Sequence, residues 1–208
     1  MTLLELITRE AARLKKAGVS FGHGTANAFD EAAWLVLWSL GMELDALELH
    51  AKRELSADEE AKAIALITRR IETRQPAAYL TREAWLQNVP FYVDERTIVP
   101  RSFIAELLVD GEEQGTLDAW LSDRTQRVLD LCTGNGSLAV IAALAYPEIE
   151  VDACDVSDDA LAVAKINVEK HQLTSRIMLM KSDLLSSVVG PYDLILCNPP
   201  YVNAHSMA

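Results

Sequence analysis

The sequence predicts an α/β protein in which a small all-helical domain and a β-hairpin precede a doubly wound parallel sheet. Two observations carry this. From Arg127 to Cys197, short apolar runs rich in β-formers alternate with helix-length segments. Such alternation implies parallel strands joined by right-handed helical crossovers. Over residues 1–82 the apolar side chains instead recur at helical spacing, punctuated by helix start and stop signals.

Thr2-x-x-Glu5 has the pattern of a capping box. Leu3, Leu6, Ile7 and Leu14 give the helical stripe behind it, with Gly18 as the stop. Phe21-Gly22-His23-Gly24-Thr25 reads as a loop, in which His23 either steadies the chain or makes a contact. A helix over 30–40 carries Trp34, Val36, Leu37 and Leu40; Trp34 and Trp38 share one face, expected in the core. A short helix over 45–52 follows. Ser56-x-x-Glu59 is a second capping box, Ile64, Ile67 and Ile71 continue it, and Pro76 is expected to end that helix. Arg69, Arg70 and Arg74 read as a solvated face complementing the helix dipole, in preference to a binding patch.

The pattern then changes. Residues 84–87 and 91–94 form a hairpin with Asn88-Val89-Pro90 between them, and 83–99 is expected to link two domains, 1–82 and 100–208. Ser102 is a candidate N-cap for a helix through Leu108, and 111–115 is acidic and loop-like. Strands are predicted over 127–131, 150–154, 176–180 and 192–197, with helices over 137–146 and 158–171, the latter capped by Ser157.

With 208 residues, half of them apolar, the chain can bury a core. No apolar run approaches the ~20 residues a bilayer-spanning helix needs. Met1-Thr2-Leu3-Leu4-Glu5 has neither the basic start nor the apolar run of a signal peptide. Cys132, Cys154 and Cys197 form no CxxC pair and stand at predicted strand ends. They read as reduced thiols of a cytoplasmic protein, with no disulfide and no metal site. A net charge of −12 disfavours direct DNA binding, which needs clustered Lys and Arg. It is compatible with a basic protein partner, while the number taken by itself reads first as ordinary solubility charge.

The chemistry concentrates at two strand ends. The strand over 192–197 stops abruptly in Asn198-Pro199-Pro200-Tyr201, because neither proline can continue a ladder. In open α/β sheets that edge is where ligands bind. The Asn198 carboxamide can accept a hydrogen bond from a planar –NH2 group, the Pro199 carbonyl can accept its second hydrogen, and Tyr201 can cover its face. Two acceptors on one amino nitrogen favour pyramidal geometry and free its lone pair for attack. The other strand end is Asp130-Leu131-Cys132-Thr133-Gly134-Asn135-Gly136-Ser137. Gly134 and Gly136 would let the backbone approach a ligand, and the next helix would offer free N–H groups. Asp155 ends the following strand, placed to accept ribose hydroxyls. Asp183, ahead of Leu184, either meets an adenine amino group or caps its own loop. Gly134-x-Gly136-x-x-Ala139 also satisfies a dinucleotide pattern. Asp130 and the Asn-Pro-Pro-Tyr run decide for a methyl-donating cofactor, since a hydride transferase has no use for a paired acceptor on an amino group.

Asp130-x-Cys132-Thr133-Gly134-x-Gly136 together with Asn198-Pro199-Pro200-Tyr201 resembles the class I S-adenosylmethionine-dependent protein-glutamine N5-methyltransferases. Phe21-Gly22-His23-Gly24-Thr25-x-Asn27-x-x-Asp30-Glu31-Ala32, Ala78-Tyr79-Leu80-Thr81, Phe91-Tyr92-Val93-Asp94-Glu95-Arg96 and Val99-Pro100-Arg101-Ser102 resemble one branch, which methylates a glutamine of the third protein of the large ribosomal subunit. Cys132 stands where the branch acting on release factors has glycine. The resemblance implies a helical domain that recognises the protein substrate and a Rossmann-like catalytic domain. It implies S-adenosyl-L-methionine on Asp130, Cys132, Thr133, Gly134, Asn135, Gly136, Asp155, Asp183, Leu184 and Asn198. Catalysis falls to Asn198, Pro199 and Tyr201, with Pro200 and Arg101 completing the substrate site. Four strands are visible where the fold normally has seven, so a truncated catalytic domain with an exposed fourth-strand flank is expected. A DNA adenine-N6 methyltransferase shares the tetrapeptide and is the nearest rival; a non-catalytic ribosome-assembly binding module is the rival of another class.

Overall fold

Both capping boxes close as their spacing predicts. Thr2 and Glu5 exchange side chain-to-backbone bonds at the start of α1 (Leu3–Ala17). Ser56 and Glu59 do the same for α4 (Ala57–Thr73). In the computed structural model, which describes residues 1–22, 24–109, 121 and 124–200, the chain divides into two compact units, Met1–Glu83 and Ala84–Ala208. His23, the acidic stretch 111–115 and Tyr201 lie outside the described residues.

The first unit is helical. Leu3, Leu6, Ile7 and Leu14 of α1 pack with Ala32, Leu35, Val36 and Leu37 of α2 (Ala28–Ser39) and Ile67 of α4, all buried. A 3₁₀ turn (Leu44–Ala46) and the single turn α3 (Leu47–His50) replace the helix expected over 45–52. The tryptophans part company: Trp34 is 7% exposed and Trp38 is 39% exposed, so only the first is core. Arg70 corrects the expectation of a solvated face. It is buried, and its guanidinium donates to Glu31 Oε1 at 2.8 Å and to the Ser20 carbonyl at 2.8 Å. Thr25 Oγ1 donates to the other Glu31 oxygen, so this buried pair anchors both ends of the 20–25 loop. Arg69 is exposed as expected, and Arg74 donates to the Ala17 carbonyl at the end of α1. α4 stops at Thr73, with Arg74 in the left-handed region, before Pro76 is reached; Pro76 opens the five-residue α5 (Ala77–Thr81).

The hairpin, β1 (Glu83–Leu86) and β2 (Val89–Tyr92), is tighter than the sequence suggests. Its turn is Gln87-Asn88 alone, both at positive φ (50° and 59°), and Val89 and Pro90 belong to the strand. Two residues at positive φ match the twist of a two-residue hairpin, and Pro90 is tolerated because this is an edge. Phe91 buries its ring in the core of the second unit.

That core lies between a four-stranded sheet and its helices. Strands β3 (Arg127–Leu131), β4 (Glu150–Asp155), β5 (Ile177–Lys181) and β6 (Leu194–Cys197) are parallel, in the order β5-β4-β3-β6. Val128, Val151, Ala153, Ile177 and Leu196 meet Ala105 and Leu108 of α6 (Phe103–Val109), Leu138 to Ala143 of α7 (Ser137–Ala145) and Val168 of α8 (Asp158–Lys170). Ser102 and Ser157 cap α6 and α8 as expected. β6 returns past the start of the sheet to pair with β3, which reverses the strand order there and puts the chemistry-bearing ends of β3, β4 and β6 side by side. Among the described residues no helix is long and apolar enough to cross a membrane.

Candidate active site

The loop after β3 is held from beneath. Asp130 is 1% exposed; its Oδ2 accepts from Thr133 Oγ1 at 2.5 Å and from Ala139 N at 3.1 Å. Burial pushes its carboxyl up to about 7, against the pull of those two donors. Its Oδ1 is buried with no hydrogen-bond partner among the described residues, and so is Asn135 Nδ2. The loop therefore presents one unpaired acceptor and one unpaired donor. Asn135 Oδ1 takes Ser137 N at 3.3 Å. Two of the first N–H groups of α7 are thus already satisfied by Asp130 and Asn135, which corrects the expectation of a helix start left wholly free for a ligand.

The two glycines divide the labour that the sequence assigned to both. Gly134, at φ 57°, has nothing within 4 Å of where a Cβ would stand, so its surface is open to a ligand. Gly136, at φ 79°, would place a Cβ 3.2 Å from Ala164 Cβ and 3.3 Å from its Cα. Gly136 is needed for close packing on α8. Cys132 leaves the strand at φ 61°, half-buried, and burial pushes its thiol up to about 11. All three cysteines are free thiols.

Asp155 stands at the end of β4 as expected, with Oδ2 accepting from Gly134 N at 2.9 Å and Oδ1 from Ser157 N at 3.0 Å. Each oxygen keeps a further lone-pair site. Asp183 and Leu184 lie exposed beyond β5. Leu184, at φ 49°, accepts from Ser182 Oγ at 2.6 Å through its carbonyl. Val156, 61% exposed beside Asp155, was not singled out from the sequence. At the end of β6, Asn198 is partly exposed and its Nδ2 lies 3.5 Å from the Arg101 carbonyl, the long end of the hydrogen-bond range. The Arg101 main chain reaches the site while its side chain is exposed. Pro199 and Pro200 are exposed. Leu131 is the register partner of both Cys154 and Cys197, so the loop beginning at Cys132 sits between Asp155 and Asn198.

A model of the methyltransferase small domain matches residues 113–208, and one of the PrmC N-terminal domain matches residues 5–81. The ribosomal protein uL3 glutamine methyltransferase of Burkholderia pseudomallei is 50% identical over all of this chain and 69% of its own length. The chain belongs to the ribosomal protein uL3 glutamine methyltransferase family. The member from Neisseria meningitidis serogroup B is 47% identical over 99% of this chain and 67% of its own length. Among solved structures, a SAM Dependent Methyltransferase from Agrobacterium tumefaciens aligns over 57% of this chain and 39% of its own, at 24% identity and a TM-score of 0.45. That likeness is too loose to add to the sequence match.

In the second unit a further buried side chain, not among the residues the sequence pointed to, braces the loop. Asn167 of α8 is fully buried. It donates to the Asn135 carbonyl at 2.8 Å and to the Tyr92 carbonyl at 3.0 Å, and accepts from Tyr92 N at 2.7 Å. Its signal was present: it continues the stripe Ala160, Val163, Ala164, where a carboxamide has no apolar reason to be.

Proposed function

We propose that this protein methylates the side-chain amide nitrogen of a glutamine in ribosomal protein uL3, with S-adenosyl-L-methionine as donor. The observation that carries the reading is the placement of Asn198 on the strand end next to the Asp130–Gly136 loop, which brings an amide-accepting group beside a loop fitted to that donor. The fit rests on the orphaned pair: Asp130 Oδ1 is an acceptor for the donor's ammonium and Asn135 Nδ2 a hydrogen-bond donor for its carboxylate. The open surface at Gly134 leaves room for its chain. Asp155 would hold the ribose, and Asp183, with the exposed apolar Val156 and Leu184, would bound the adenine. Family membership supports the choice of substrate.

The bound donor supplies an electrophilic sulfonium methyl. The residues of this chain do the rest by positioning. An amide nitrogen is a poor nucleophile because its lone pair is shared with the carbonyl. Asn198 Oδ1 and the Pro199 carbonyl would each accept one amide hydrogen and favour a pyramidal nitrogen. The Arg101 carbonyl, beside Asn198 Nδ2, would orient that carboxamide so that its oxygen is free for the substrate. Reacting atoms held ~3 Å apart are the main source of rate in such a site. The surplus proton leaves after transfer, so no strong base is required.

The test is transfer of labelled methyl to purified uL3, a release factor and duplex DNA offered side by side. Label on a uL3 glutamine, lost in Asn198→Ala with cofactor affinity retained, is the expected result. Label on DNA or on the release factor instead overturns the substrate assignment, and loss of cofactor affinity in Asn198→Ala overturns the role of Asn198.

A further inference from the structure

Asn167, on the buried face of α8, takes no direct part in the methyl transfer proposed for the site. Its carboxamide has one acceptor and two donor hydrogens engaged, all three by main-chain groups from segments far apart in sequence. With Tyr92 it exchanges an N–H and a C=O, as a neighbouring strand would. With Asn135 it fixes the carbonyl between the two loop glycines. Ala164, one turn earlier on α8, is the surface on which Gly136 rests. One turn later, His171 Nε2 donates to the Pro90 carbonyl at 3.0 Å, and its ring tilts against Phe91. One face of α8 therefore seats the glycine loop and the hairpin strand together, and Asn167 is the side chain on that face that touches both.

We infer that Asn167 is a positioning residue that couples the hairpin to the cofactor loop, so that ordering one orders the other. This rests on the methyl-transfer reading of the site. The coupling is physical and local. A buried carboxamide cannot release the Asn135 carbonyl without leaving a donor unpaired. It cannot rotate toward a shifted loop without breaking its exchange with Tyr92. A cofactor that settles the loop onto α8 thereby tightens the grip on β2, and a loosened β2 loosens the loop. β2 leads through Asp94 and Arg96, joined by their own ion pair, to Arg101, whose carbonyl stands beside Asn198. The hairpin is thus a working part of the catalytic unit and tells the amide-binding end whether the donor loop is in place.

The experiment uses the unmodified protein and residue-resolved hydrogen exchange, with and without saturating S-adenosylhomocysteine. The Tyr92 amide is held by the Asn167 oxygen, so its exchange reports that grip. Coupling predicts slowing of at least about fivefold at Tyr92 together with protection of the Gly134 and Gly136 amides. Protection confined to the loop, with Tyr92 unchanged, overturns the coupling and leaves the methyl-transfer reading standing. No protection of the loop overturns that reading and the coupling with it. Asn167→Asp supplies a second readout: it keeps the acceptor for Tyr92 N–H and removes both donors. Where it folds, KM for S-adenosylmethionine rises about tenfold, a larger change than that in kcat at saturation. A lowered melting temperature with unchanged KM marks a merely structural asparagine and overturns the proposal.

Discussion

Substituting the two loop glycines separately distinguishes a packing role from a binding one. Alanine at either position must adopt a left-handed φ, at about 1–2 kcal/mol. At Gly134 that is the whole cost to the fold, since a Cβ meets nothing within 4 Å. At Gly136 the new methyl arrives 3.2 Å from Ala164 Cβ and 3.3 Å from its Cα. The latter is helix backbone and cannot swing aside, so an overpacking cost of about 1–3 kcal/mol is added. Gly136→Ala is therefore expected to lose about 2–5 kcal/mol in all, a fall of about 8–20 °C in melting temperature for a unit of this size. Gly134→Ala should lose no more than about 2 kcal/mol, yet weaken the cofactor more, because its methyl faces the open side of the loop. Thermal unfolding by circular dichroism and titration calorimetry with S-adenosylhomocysteine read the two effects. Equal destabilisation by both variants, or a Gly136→Ala protein as stable as the parent, would refute the division of labour.

Asp130, with its carboxyl pushed up to about 7 by burial, is largely protonated at pH 6. An ammonium group prefers the carboxylate, so cofactor affinity should rise from pH 6 to pH 7 by up to about fivefold with release of a proton; a flat profile by calorimetry in buffers of different ionisation enthalpy counts against the Asp130 contact. Replacing Arg70 with Met strands the Glu31 carboxylate in the core and should cost about 3–5 kcal/mol in urea denaturation of the first unit, whereas Arg69→Met, at an exposed position, should change stability by less than about 0.5 kcal/mol. Asn88→Gly relieves a positive φ of 59° in the two-residue turn and should stabilise the hairpin by up to about 1 kcal/mol; a loss of stability would mean that the Asn88 side chain matters more than its backbone angle.

The alternation of β3, α7, β4, α8, β5 and β6 was legible because each strand is a short apolar run, α7 is an unbroken alanine-rich stretch and α8 carries a start signal at Ser157. Both capping boxes and the Ser102 and Ser157 caps were legible for the same reason: they are local, within three residues. What the sequence hid was non-local. Arg70 looked like its exposed neighbour Arg69, because its partner Glu31 is 39 positions away. Gly136 looked like Gly134, because the atom it must avoid belongs to Ala164. Val89-Pro90 looked like a break, because a proline inside a strand is acceptable only at an edge, and edges are a property of the sheet. At the site, the Asp130 loop, Asp155 and Asn198 were named from their strand-end positions. Asn167 was not: its place on the apolar stripe of α8 was the one signal, and the main-chain groups it holds carry no mark in the sequence.

The strand order also sets a timetable. Val128 pairs with Val151 and Val151 with Ile177, 23 and 26 positions apart, while Val128 pairs with Leu194 across 66. Closing the longest of these loops costs about 1 kcal/mol more than the shortest, and on a growing chain β6 is made last of the four. The shelf of β3, β4 and β5, with Asp130 and Asp155 already on it, can therefore assemble before Asn198 has left the ribosome. The half of the site assigned to the methyl donor is built first, and the half assigned to the acceptor is then delivered onto it by the arrival of a single strand.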